Sequence, residues 1–221
     1  MQIAIHRHQI QELIWLAEVN INITKYIYSH FKNTPFDQFW LLTANNAYFE
    51  SVSICHTLVC SKDKNELQIK PLLEKITALD IKNGYASYPE NAITEFKAHV
   101  KEVFPNEPYN FYLLTSGDDI KKFKMIIRKS SIKDLEMLKN KFINDKFNVI
   151  RHEFSAHKNK EKSHQRYQYT VSDNYINKLD DFLKELRIDA YFWFDIVMNN
   201  QVQSQGEIIS NLKRCLVYSN K

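Results

Sequence analysis

The segment from Arg151 to His157 holds the side chains of this chain that are best suited to chemistry. It reads Arg-His-Glu-Phe-Ser-Ala-His, which places a permanent cation, two imidazoles and a hydroxyl within seven residues. A guanidinium binds phosphate oxygens bidentately, and an imidazole that titrates near neutrality takes up or supplies a proton. These groups suit RNA cleavage by attack of the 2′-hydroxyl on the adjacent phosphorus. The products would be a 2′,3′-cyclic phosphate and a free 5′-hydroxyl, and no metal ion or cofactor is expected.

One long helix, from Ser131 to about Lys158, is expected to position these groups. Its start is predicted from the capping-box spacing of Ser131 and Asp134. The apolar pattern then continues through Leu135, Leu138, Phe142, Val149, Ile150 and Phe154. On an ideal helix Arg151 and His157 lie about 120° apart around the axis and about 9 Å apart along it. His157 would then point into a helix–helix contact, and a dimer axis there would bring two Arg and two His into one cleft.

The composition predicts an all-α helical bundle in a single domain of residues 1–221. The chain is 44% hydrophobic, which is enough for a substantial core, and its 3 Gly and 5 Pro argue against an all-β fold with many tight turns. Gly84, Gly117 and Gly206 are too far apart to form a Gly-rich phosphate loop, which excludes the common nucleotide-binding folds.

Apolar residues spaced three and four apart predict helices along most of the chain. Besides the long helix, the predicted ranges are 5–32, 36–60, one from about Pro71 to Asn83-Gly84, 91–103, 118–129, one that Ser172 caps, and 207–218. Small residues recur in the middle of the second helix, at Ala44, Ala47 and Ser51, so a neighbouring helix is expected to approach closely there. The helices of 168–221 are expected to pack on a core formed by residues 1–160.

Charge and cysteine content favour a cytoplasmic protein without a membrane segment. The net charge of +4 and the pI near 8.8 permit RNA binding without requiring it. Three cysteines without a Cys-x-x-Cys pair fit a reducing compartment. No apolar signal-peptide core follows Met1, and the apolar run 190–198 is broken by Asp195 and too short to span a bilayer.

A purely structural reading of Arg151 and His157 competes with the catalytic one. A spacing of six positions from an Arg to a His arises often by chance, and a single His on an apolar helix face is usually a core histidine with its hydrogen bonds satisfied.

The stretch from Val149 to Asn159 resembles the signature of the HEPN superfamily (higher eukaryotes and prokaryotes nucleotide-binding). That signature is an Arg, a polar residue, four further residues and a His, late in a long helix, with a small residue before the His and a basic or polar one after it. His152, Ala156 and Lys158 fit this pattern. The stretches 45–58, 62–64 and 69–73 are similar to the second helix and following turn of HEPN proteins linked to abortive infection.

The resemblance covers about residues 5–160 and implies a helical, usually dimeric protein. Many HEPN proteins are metal-independent ribonucleases that act as toxins or antiviral effectors, whereas others only bind or dimerise. Carried over to this chain, the resemblance makes Arg151 and His157 catalytic, with His152 assisting. The stretch 105–118 and the helices after 168 lie outside it.

Several other groups of residues could in principle form sites. His6 and His8 with Arg7 suit a metal or phosphate site, but a solvated turn explains them better because no acidic or Cys ligands accompany them. Cys55, His56 and Cys60 favour helix packing over zinc, since on a helix Cys55 and His56 diverge and Cys60 was expected to lie near neither. Tyr191-Phe192-Trp193-Phe194 suits core packing better than base stacking.

The fourth group is the polar loop that follows the Arg–His segment. Its cations are suited to tracking a phosphate backbone, although an ordinary solvated loop explains them equally well: Lys158, Lys160, Lys162 and Arg166. A metal set of His157, Glu161 and His164 is disfavoured by these same positive charges.

Taken together, the sequence favours a homodimeric ribonuclease of a toxin–antitoxin or antiphage defence system. Its expected partners are RNA, a second copy of the chain and a cognate antitoxin protein. The alternatives are a non-catalytic helical module in which Arg151 and His157 support a dimer interface, and a protein that binds RNA without cutting it.

Overall fold

The computed structural model of the protein describes residues 2–31, 37–63, 66–82, 131–152 and 171–194. Within these ranges the chain is helical and contains no strand, as the composition predicts. The helices are α1 Gln2–His30, α2 Asp37–Val59, α3 Ile69–Lys82, α4 Ser131–Asn144, α5 Phe147–Arg151 and α6 Asp173–Phe194. The helices predicted at 91–103, 118–129 and 207–218 lie outside the described residues.

The boundaries of α1, α2, α3 and α6 agree with the predicted ones to within a few residues. Ser172 directly precedes α6, and its carbonyl accepts the first backbone hydrogen bonds of the helix, from the N–H groups of Tyr175 (2.9 Å) and Ile176 (3.1 Å). None of the described helices is both long enough and apolar enough to cross a membrane.

Helices α1 and α2 pack closely through small and hydroxyl-bearing side chains. The Ser51 hydroxyl donates to the carbonyl of Ala17 (2.7 Å), and the Thr24 hydroxyl lies 3.1 Å from the carbonyl of Ala44. Contacts between a side chain and a facing backbone require the two helix axes to approach closely, because only small residues leave the backbone accessible. The close approach expected at Ala44 and Ser51 is therefore confirmed.

Helix α6 packs against α1 and α4 and completes the core around a cluster of aromatic rings. Phe142 of α4 lies with its ring centroid 5.3 Å from that of Phe147 and 5.4 Å from that of Phe182 in α6. Ion pairs tie the same helices together at the surface, between Lys25 and Asp180 (2.6 Å) and between Lys141 and Glu185 (2.8 Å).

Candidate functional site at the α2–α5 contact

Arg151, the first residue of the Arg–His segment, is the last residue of the short helix α5 and is half-buried. α5 is separated from α4 by a turn at Asp145 and Lys146. Lys146 adopts the left-handed conformation (φ 64°, ψ 18°), and its N–H donates to the carbonyl of Ile143 (2.9 Å). A non-glycine residue in this conformation ends a right-handed helix, because the next turn cannot continue in phase.

The prediction of one continuous helix from Ser131 to Lys158 is therefore wrong. The helical phase of Leu138 and Phe142 does not carry through to Arg151, so the helix-wheel relationship inferred for His157 from those residues no longer holds. The apolar pattern misled because residues are buried on both sides of the break, Phe142 before it and Phe147 and Ile150 after it.

Of the other two residues assigned to catalysis, the structure describes only His152, which directly follows Arg151. His152 is exposed, and its backbone N–H caps α5 by donating to the carbonyls of Asn148 and Val149. His157 lies outside the described residues, and so do the cations of the following loop: Lys158, Lys160, Lys162 and Arg166. The metal set of His157, Glu161 and His164 lies outside them as well.

What Arg151 does approach is the C-terminal end of α2. α5 packs against α2, and the Arg151 charge acts on both His56 and Cys60. Burial, the larger cause, and the positive charge of Arg151 lower the pKa of His56 from its ordinary value of 6.5, while Glu66 acts in the opposite direction. His56 is therefore predominantly neutral at pH 7, next to a permanent cation.

The sequence suggests His56 only as a member of a disfavoured zinc set with Cys55 and Cys60, not as a base, and the expectation that Cys60 would lie near neither Cys55 nor His56 is wrong. Cys60 follows His56 by one helical turn, with its N–H donating to the His56 carbonyl (2.8 Å), and it lies close enough to Cys55 for their charges to interact. The spacing of four residues between His56 and Cys60 is the signal that could have placed them on one face.

The thiols at this contact are unreactive. Burial raises the pKa of Cys60 to about 11, although the charges of Lys139 and Arg151 partly offset this effect, and burial also raises the pKa of the fully buried Cys55. Both are protonated thiols at neutral pH, and thiols are poor nucleophiles and metal ligands in that state. Across the described ranges, no three His, Cys, Asp or Glu side chains are grouped so that they could hold a metal ion.

The histidines near the N-terminus lie on a different part of the molecule. His8 pairs with Glu12 on the exposed surface of α1 (3.1 Å), whereas His6 lines a groove of about 900 Å³ between α1 and the start of α3. The groove carries Lys62 and Lys75 together with two carboxylates, so its charges are mixed and do not define an anion site.

Two of the four consecutive aromatic residues of 191–194 belong to the core. Trp193 and Phe194 are each 1% exposed, with their ring centroids 6.2 Å apart. Base stacking requires an accessible ring face, which excludes these two residues from that role.

Comparisons of this chain with protein-family models, with curated proteins and with solved structures found no match.

Proposed function

We propose that the protein is a homodimeric, HEPN-type endoribonuclease that cleaves RNA without a metal ion and acts in a toxin–antitoxin or antiphage defence system. The observation that carries the proposal is the position of Arg151. The residue is half-buried at the end of α5, at the start of the Arg–His segment and against a second helix that presents a neutral imidazole. A half-buried cation acts more strongly on a bound phosphate than a solvated one does.

In the proposed reaction Arg151 binds the non-bridging oxygens of the scissile phosphate and stabilises the charge that develops in the transition state. His157 transfers a proton to or from the RNA, and His152, which is exposed next to Arg151, assists in catalysis. The cations that follow in the sequence would hold the flanking backbone by charge: Lys158, Lys160, Lys162 and Arg166. DNA would not be cut, because it lacks the 2′-hydroxyl nucleophile.

The proposal is tested by inducing expression of the protein in bacteria and examining total RNA on a gel. Wild type is expected to arrest growth and to produce fragments that end in a 2′,3′-cyclic phosphate. Arg151→Ala and His157→Ala should each lower cleavage about 10²-fold or more. His8→Ala is the matched control, because His8 is exposed on α1 and paired only with Glu12 in the described structure. RNA that stays intact in cells expressing folded, dimeric wild-type protein would contradict the proposal.

A second candidate is a non-catalytic dimerisation module with the same fold, which is favoured by apolar side chains left exposed on α4 and α5. Met137 is 60% exposed and Val149 46%, and Ile143 between them is also exposed. Large apolar side chains exposed on adjacent helices are compatible with an interaction surface. Under this alternative, Met137→Lys lowers dimerisation, while Arg151→Ala leaves every RNA-directed activity unchanged.

A further inference from the structure

His56 lies where α2 ends and where its ring packs against a neighbouring helix. It lies in the last turn of α2, where its carbonyl accepts hydrogen bonds from Cys60 (2.8 Å) and Ser61 (3.0 Å). Its half-buried ring lies against Phe142, with the ring centroids 6.2 Å apart. The ring therefore packs against α4, close to Arg151 of α5.

The Nδ1 atom of His56 is buried and has no hydrogen-bond partner within the described part of the chain. A buried polar atom without a partner costs free energy, and such atoms in native proteins call for an explanation such as a catalytic role. A core histidine is normally held in one tautomer by a hydrogen bond to one ring nitrogen. His56 lacks that bond at Nδ1, so neither tautomer is fixed from the Nδ1 side.

We infer that His56 is a further catalytic residue of the ribonuclease proposed above, and that it accepts the proton of the attacking 2′-hydroxyl while Arg151 holds the phosphate. In this step the O2′–H bond breaks and its proton moves to a ring nitrogen of His56. The O2′–P bond forms as the P–O5′ bond breaks. The leaving O5′ takes a proton from water, and the hydroxide that remains is neutralised by the proton that His56 releases, so the site returns to its starting state.

The charges that face His56 suit a base that is neutral before the reaction. Arg151 from α5 disfavours its protonated form, and Glu66 from the segment after α2 favours it. On α4, Lys139 and Glu136 face the neighbouring Cys60 with opposite charges and are themselves paired (3.5 Å). Cys60 does not compete for the proton, because its thiol keeps its own proton at neutral pH.

The inference rests on the proposed function, and the pH dependence of cleavage separates the two. Single-turnover cleavage of a short RNA is measured against pH for wild type, His56→Gln, Arg151→Ala and the control His8→Gln. In wild type the cleavage rate should fall at low pH, where the base becomes protonated; this part of the pH profile is its acidic limb. We expect His56→Gln to lower the rate about 10²-fold and to remove the acidic limb. Added imidazole should restore activity to His56→Ala, since a small base can replace the lost ring.

Each outcome has a definite meaning. If Arg151→Ala is inactive but His56→Gln keeps the wild-type rate and acidic limb, the inference is overturned and the proposed function survives. If Arg151→Ala cleaves as wild type does, both are overturned. If the His56 variants fail to fold, NMR titration of His56 in the wild-type protein decides: its pKa must coincide with that of the acidic limb, and a mismatch overturns the inference.

Discussion

Arg151 at the end of α5 lies close enough to His56 in the last turn of α2 to help keep that imidazole neutral. The two residues are far apart in the sequence, and they meet because the turn at Lys146 redirects the chain after α4 and lets α5 pack against α2. A fixed cation beside a neutral base is an arrangement suited to phosphodiester chemistry, since it binds an anion and accepts a proton at one place.

The first prediction concerns acid stability. Because the pKa of His56 is lower in the folded protein than its ordinary value of 6.5, the unfolded chain binds more protons as the pH falls below that value. The part of the free energy of unfolding that depends on a neutral His56 is fully present above pH 6.5 and is lost as the pH falls toward the folded-state pKa. Urea unfolding at pH 7 and pH 5 should show a smaller acid-induced loss for His56→Gln than for wild type. Equal losses for the two proteins would show that His56 titrates as an ordinary exposed histidine.

The second prediction concerns the ion pair between Glu18 of α1 and Arg187 of α6. Both residues are nearly inaccessible, at 8% and 6% exposure, and burial lowers the pKa of the guanidinium. Glu18→Gln removes the carboxylate charge that lies against the buried guanidinium, and should lower the free energy of unfolding by about 3–5 kcal/mol. The more exposed pair of Lys178 and Asp145 (2.8 Å) is the control, and Lys178→Ala should leave the melting temperature almost unchanged. A similar small effect for Glu18→Gln would contradict this account.

The third prediction concerns the left-handed turn at Lys146. Glycine adopts this conformation without the clash of a Cβ atom, so Lys146→Gly should raise the free energy of unfolding by about 1 kcal/mol. The matched change Lys75→Gly, at an exposed position within α3, should lower it by about 1 kcal/mol because helical glycine carries a larger entropy cost. Denaturant unfolding of the two variants should thus give shifts of opposite sign. Destabilisation by both changes would mean that the chain continues as a helix through Lys146.

The fourth prediction concerns the close contact of α1 and α2. Ser51 is fully buried against the backbone of Ala17. Ser51→Ala should cost about 1 kcal/mol through the lost hydrogen bond, and Ser51→Leu about 1–3 kcal/mol because the larger side chain forces the helices apart. Asn46→Leu, at an exposed position on the same helix, controls for the added apolar bulk. If thermal unfolding shows the three variants to be equally stable, the helices do not approach as closely as the Ser51 contact requires.

The spacing of apolar residues was sufficient to predict most of the described helices, because each helix buries one apolar face whose residues recur every three or four positions in the sequence. Ser172 and Pro71 marked helix starts through local backbone chemistry, and Ala44 and Ser51 marked a close approach through their size. These features depend on neighbours in the sequence, which is why α1, α2, α3 and α6 were predicted to within a few residues.

The site was harder to predict because it depends on tertiary contacts. The break at Lys146 carries neither Gly nor Pro, and buried Phe147 and Ile150 continue the apolar pattern beyond it, so the sequence favoured one helix. His56 could not be paired with Arg151 without knowing that α5 packs against α2. The same limit applies to Glu18 and Arg187, whose pairing follows from the packing of α1 against α6.

The most direct test of the central claim is cleavage of RNA by the purified protein in the presence of a metal chelator. A short RNA labelled at its 5′ end is incubated with wild type, Arg151→Ala and the control His8→Ala, and the 3′ ends of the products are identified. We predict that wild type and His8→Ala produce fragments with 2′,3′-cyclic phosphate ends, whereas Arg151→Ala is at least about 10²-fold slower. Equal cleavage by folded wild type and Arg151→Ala, or no cleavage by folded, dimeric wild type, would contradict the assignment of Arg151 to a ribonuclease site.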